Sequence, residues 1–191
     1  MSHLKRTMTM DNGTKDVVPR VDASTNAITT ISYTHHEIHG GSAYYVLHSA
    51  LADAAGTISI RIATPNTTKW AHMVFDLEAS LAATAQMWYP TTKTHVGDNA
   101  IVPMNRNHNS TNTSGLTICH TPGGTQAGTA QLTKYIGATA SGGRVAGGGG
   151  ASTRHEFILK QNSSYYILVT SRADGNAMSI TLDWYEHTAK G

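Results

Sequence analysis

Met178-Ser179-Ile180-Thr181-Leu182-Asp183-Trp184-Tyr185 decides the fold class, because apolar and polar residues alternate without a break along it. In an extended chain successive side chains point to opposite sides, so this stretch sends Met178, Ile180, Leu182 and Trp184 to one face and Ser179, Thr181, Asp183 and Tyr185 to the other. A helix would scatter the same residues around its circumference. Thr57-Ile58-Ser59-Ile60-Arg61-Ile62-Ala63 repeats the arrangement, with three isoleucines on one side and the charged Arg61 on the other. Both read as half-buried strands of a sheet with one face in a core, and Ile60 is an expected core residue.

Working outward, further short stretches rich in β-branched and aromatic residues are divided by Gly, Pro and Asn clusters. The expected strands are 28–38, 43–49, 57–63, 70–78, 81–89, 100–104, 116–120, 129–136, 155–160, 165–171 and 178–185. Ser80 to Met87 could alternatively form a short helical turn. With no amphipathic helical period elsewhere, the chain reads as all-β, an antiparallel β-sandwich, jelly-roll-like, over residues 28–191. Residues 1–27 have few large apolar side chains, with Asp11-Asn12-Gly13 and Pro19 as breakers, and read as an extended N-terminal arm or a disordered tail. The stretch from Gly137 to Ser152 holds Gly142-Gly143 and a run of glycines from Gly147 to Gly150, and is expected to be a loop. It lacks the strand-to-helix setting and the lysine of a phosphate-cradling loop.

At 191 residues the chain is long enough for a core that needs no disulfide or metal staple. Cys119 is the single cysteine and is expected in the core. Charged residues make up only 14% of the chain, well below the common share of about a quarter, which suits a polar, weakly charged surface in a dense assembly. A net charge of +2 from scattered basic residues gives no case for nucleic acid. No apolar stretch reaches the length of a signal peptide's core or a membrane span, so the expectation is no membrane partner and synthesis in a host cytoplasm.

Eleven histidines are the oddest feature, and three fall within His35-His36-Glu37-Ile38-His39. On a strand, His35, Glu37 and His39 would share a face and could offer ligands to zinc, iron or manganese. A His and Glu site on a sheet is similar to that of the cupins, but their first pair of histidines one residue apart is missing here. Same-face neighbours on a strand also lie nearly 7 Å apart and converge poorly on one ion. Hydrogen bonding at a sheet edge or subunit interface is the competing reading, and no cofactor is assigned. Asp183 and Glu186 could suggest a glycosidase pair, but a three-residue offset puts them on opposite faces. Trp70, Trp88, Tyr89, Tyr165, Tyr166, Trp184 and Tyr185 could stack on sugars; core packing is expected instead, with Trp88-Tyr89-Pro90 the exception.

Five segments resemble a family of small tailed-bacteriophage virion proteins that accompany the major capsid protein. They are His36-Glu37-Ile38-His39-Gly40-Gly41 running into Ala43-Tyr44-Tyr45-Val46, then Thr68-Lys69-Trp70-Ala71-His72-Met73-Val74-Phe75. Further along come Pro103-Met104-Asn105-Arg106-Asn107-His108-Asn109-Ser110, Arg154-His155-Glu156-Phe157-Ile158-Leu159-Lys160 and Leu182-Asp183-Trp184-Tyr185-Glu186-His187. The resemblance implies a β-sandwich or jelly-roll subunit, commonly a homotrimer, bound to the major capsid protein on the capsid surface of the virion, with no catalytic residues. The arm lies outside it, and Leu4, Met8, Val17 and Val18 are candidate capsid contacts on the reading that the arm grips neighbours by strand addition. The expected function is a capsid decoration or cement protein. Two alternatives stand beside it, a receptor- or glycan-binding module and a metal-dependent cupin-like enzyme.

Overall fold

The computed structural model describes residues 10–11, 16–17, 33–137 and 156–188. The chain divides into two compact units, Met1–His36 and Glu37–Gly191. The expected boundary between residues 27 and 28, most of the arm including Leu4, Met8 and Val18, and nearly all of the Gly-rich stretch lie outside the described residues. Within the first unit, β1 (Met10–Asp11) and β2 (Asp16–Val17) pair antiparallel, Met10 opposite Val17.

The second unit is built from two antiparallel sheets. One has the order β10 (Leu132–Ile136), β6 (Ala83–Trp88), β12 (Ser164–Ser171), β4 (Thr57–Ala63), β9 (Thr117–His120) and β7 (Ala100–Ile101). The other has the order β11 (Phe157–Leu159), β5 (Lys69–Ala79), β13 (Asn176–Thr188), β3 (Ala43–Ala52) and β8 (Met104–Asn105). Pairing is nested: β3 joins β13, β4 joins β12, β5 joins β11 and β6 joins β10, so the chain folds back on itself from both ends toward the middle.

β13 carries the alternation that its sequence dictates. Asn176, Met178, Ile180, Leu182, Trp184 and Glu186 are buried, and the residues between them are half-buried or exposed. Ile58, Ile60 and Ile62 face this strand's inner side from the opposite sheet and none is more than 3% exposed. With Val46, Met73, Ile118, Ile167 and Val169 they fill the space between the sheets. Apolar burial at about 25 cal/mol per Å² is what holds the two sheets together. Cys119 is fully buried and free, as expected.

One polar residue closes this core. Asn176 is completely buried; its Oδ1 accepts from Leu81 N–H (2.8 Å) and Ser80 Oγ–H (3.2 Å), and its Nδ2 donates to the carbonyls of Leu81 (3.2 Å) and Ala82 (3.1 Å). The turn from β5 to β6 is thereby tied to the start of β13, and the Ser80 to Met87 segment is a turn and strand rather than a helix. Buried backbone groups must be paired somewhere, and here a side chain does it.

Two strand expectations need correction. The 100–104 stretch is split: β7 lies in one sheet and β8 in the other, with Pro103 between them, which lacks the N–H that a continuous ladder requires. The described part of 28–38 is not a strand but a helix, α1 (Tyr33–His39). Its end explains why. Gly41 N–H bonds to Ile38 O (3.0 Å) and Ser42 N–H to Glu37 O (2.9 Å), while Gly41 has φ of +70°, the paired bonds and left-handed residue of a Schellman stop. Gly40-Gly41-Ser42 is thus a helix C-cap signal at the sequence level.

Candidate functional site

The helix undoes the geometry expected of the histidine cluster. At 100° per residue, Glu37 lies on the side of α1 opposite to His35 and His39, and it is buried while both histidines are exposed. Among the described residues no group of three or more His, Cys, Asp and Glu side chains is placed to hold a metal ion.

What the fold assembles instead is a polar band on the outer face of the five-stranded sheet. The residues of β13 between the buried ones, Asp183, Tyr185 and His187, point away from the core, and the register sets His72 opposite Tyr185 and Trp70 opposite His187. The Tyr185 and His72 rings stack with centroids 4.8 Å apart. Glu156, just before β11, completes the group: its Oε1 is 2.6 Å from His72 Nδ1 and accepts from Tyr185 Oη–H at 2.9 Å.

Proton positions follow from the acceptors. A backbone carbonyl can only accept, so His187 Nδ1, 2.9 Å from Thr188 O, carries a hydrogen. His72 Nδ1 carries one too when Glu156 is ionised. The Nε2 atoms of the two rings stand 2.8 Å apart, within hydrogen-bond distance of each other.

Further along the same face, Arg106 from just past β8 donates through Nε to Asp183 Oδ1 (2.7 Å), with a second bond from Nη2, and its guanidinium lies 5.9 Å from the centre of the Tyr45 ring. Ile38, Tyr45, Arg106 and His108 line an open cleft there. Asp76 is the discordant member: its Oδ1 is buried with no hydrogen-bond partner, and burial, then the charges of Glu78 and Asp183, push its carboxyl above the ordinary range. Ionised Asp76 is thus strained at neutral pH. Asp76→Asn should raise unfolding stability at pH 7 by roughly 0.5 kcal/mol after allowance for solvent screening, and the gain should shrink as pH falls and the aspartate takes up its proton. Urea denaturation at both pH values checks it.

The remaining expected residues sort cleanly. Asp183 and Glu186 do lie on opposite faces, Glu186 inward. Tyr165 and Trp184 are core residues, while Tyr166 and Trp88 pack on each other on the outer face of the six-stranded sheet, both buried; Trp88, at 8% exposure, is not the exposed corner expected of Trp88-Tyr89-Pro90, and its indole bonds to Gly128 O (3.4 Å) under the 121–131 loop. Across the sandwich His48 of β3 stacks on His120 of β9 at 4.8 Å. Burial, then His120, holds the His48 imidazole below its ordinary value of 6.5. The folded chain therefore resists a proton that the unfolded chain accepts. Stability from this pair is complete above pH 6.5 and is lost as pH falls below it. His48→Gln should flatten the dependence of the denaturation midpoint between pH 7.5 and 5 that the native chain shows.

Neither the band nor its partners was visible in any single motif. Each of the five segments quoted for the resemblance includes all or part of one strand of the five-stranded sheet, β3, β5, β8, β11 or β13, and the first also includes part of α1. By class the second unit is a two-sheet antiparallel sandwich. No family model, curated protein or solved structure matches the chain.

Proposed function

We propose that the chain is a capsid decoration protein of a tailed bacteriophage, a jelly-roll subunit that binds the major capsid protein and reinforces the head. The observation that carries the reading is the convergence just described: every segment with the virion-protein resemblance contributes to one continuous sheet. The nested strand pairing supports a jelly roll, in which a long hairpin is rolled up so that first and last strands become neighbours. The space between the sheets is filled with side chains such as Ile60, Val169, Ile180 and Leu182, all completely buried, so the interior that a cupin-like enzyme would use for its metal is occupied by core. Large apolar side chains stand on the surface at Leu47, Leu51, Val102 and Met104, each more than half exposed, which suits adhesion. Weak contacts suffice on a shell that repeats the same site many times.

The test is direct. Purified particles should contain the protein, particles lacking it should take it up from solution, and saturation should raise the temperature at which heads release their DNA. Absence from particles together with failure to bind them ends the reading. Deleting residues 1–27 tests the arm separately, and normal uptake would show that the sandwich alone does the binding. The open cleft at Tyr45, Arg106 and His108 supports a second reading, a glycan-binding module, since an aromatic ring beside a fixed guanidinium can stack and hydrogen-bond a sugar. A glycan array with the native chain and Tyr45→Ala decides it.

A further inference from the structure

Among the described residues, two long strands stand at the margins of the five-stranded sheet: β5, whose stretch beyond β11 carries Asp76 and Glu78, and β3, which carries no charge. β8 pairs with it only at Tyr44 and Tyr45, and among the described residues no strand flanks Val46 to Ala52 on the side away from β13. The direction of its backbone groups follows from two bonds. Ser42 O accepts from Glu186 N–H on the β13 side, and Ala43 O accepts from Arg106 N–H on the β8 side. Alternation along the strand then aims the N–H and C=O of Leu47, Ser49 and Leu51 outward, where their side chains also leave the core. Leu47 is 57% exposed and Leu51 73%.

Edges of this kind are normally guarded by a lysine, a proline or a bulge, because unpaired strands recruit others. Ala-Tyr-Tyr-Val-Leu-His-Ser-Ala-Leu-Ala, the whole of β3, contains no proline and no Lys, Arg, Asp or Glu. The sequence around Ser49 is also self-complementary. Laid antiparallel against a second copy with Ser49 opposite Ser49, Leu47 of each chain meets Leu51 of the other on the outer face, no charges oppose, and the outward backbone groups of all three residues pair.

We propose that β3 is a homotypic interface, in which two copies of this chain join edge to edge about a twofold axis at Ser49 and extend the five-stranded sheet across both. This contact is twofold, unlike the threefold association that the resemblance implies. The partner is a second copy rather than a foreign strand because the register that saturates the edge is supplied by the edge itself. The inference is independent of the coat reading: a chain that stays monomeric ends this one and leaves particle binding as it was, whereas absence from particles ends only the other.

Register-specific cross-linking tests it on the full chain. Cys119 is fully buried, so added cysteines report alone. Ser49→Cys should form a disulfide dimer under mild oxidation with a yield about tenfold above Leu47→Cys, since only position 49 meets itself within the roughly 6 Å that a disulfide spans. Leu47→Cys mixed with Leu51→Cys should cross-link as a heterodimer. Sedimentation equilibrium should give a monomer–dimer equilibrium for the native chain, and Leu51→Lys, at an exposed position that leaves the core intact, should shift it to monomer. Equal cross-linking of Ser49→Cys and Leu47→Cys, a trimer mass, or a native chain monomeric at submillimolar concentration would each overturn the proposal.

Discussion

Leu182→Ala should lower the unfolding free energy by about 4 kcal/mol and the melting temperature by roughly 10 °C. Leu182 lies at the middle of β13, completely buried, with Phe75 on one neighbouring strand and Val46 on the other. Truncation removes apolar surface from the densest part of the core and leaves a void between two sheets that are each held by continuous ladders. The strands cannot easily collapse into it, so the loss belongs at the upper end of the usual range. Leu51→Ala is the matched control. At a protein concentration where the chain is monomeric, the same chemistry at a site 73% exposed in the single chain should change stability by no more than about 0.5 kcal/mol, measured in the same guanidinium titration.

That contrast marks what the sequence could tell. Period-two patterning made Ile58, Ile60, Ile62, Met178, Ile180, Leu182 and Trp184 readable as core, because burial of one sheet face is a local rule repeated at every second residue. It failed at α1, where the same pattern of a few apolar residues is too short to fix a period and the decisive signal was the glycine stop that follows. It failed again at residues 100–104, where Pro103 should have been read as the point at which the chain changes sheets.

The candidate site was the least legible part. His72, Glu156, Tyr185 and His187 meet only because β11, β5 and β13 are adjacent, a consequence of pairing between segments about a hundred residues apart. No local rule encodes that. The two features that stood out in the sequence behaved differently. The histidine run became a helix with its glutamate turned inward, while the wider histidine content found partners in His72 with His187 and His48 with His120. Four of the eleven histidines thus meet another imidazole within the sandwich, and of these pairs His48 with His120 links stability to pH.

Glu186→Ala is expected to cost as much as the core truncation, about 3–5 kcal/mol, although it removes a charge. The alternation of β13 carries this glutamate onto the inner face, where it is 7% exposed. Its carboxylate accepts from Ser114 Oγ–H (2.5 Å), from Gly115 N–H (3.1 Å to each oxygen) and from Trp184 Nε1–H (3.0 Å). Those bonds fasten the turn ahead of β9 to the end of β13, so alanine would strand the indole and amide donors in a dry site as well as leave a hole. Glu186→Gln keeps the shape and part of the bonding and should cost less than half as much. A second readout separates loss of charge from loss of packing. The Tyr44 phenol is held above its ordinary value of 10.0, first by burial and then by the charge of Glu186. In Glu186→Gln the tyrosinate absorbance of Tyr44 should therefore appear at lower pH than in the native chain, yet still above 10, because burial persists. If Tyr44 titrates unchanged while stability falls, the carboxylate acts through its hydrogen bonds alone and its charge does not reach the tyrosine.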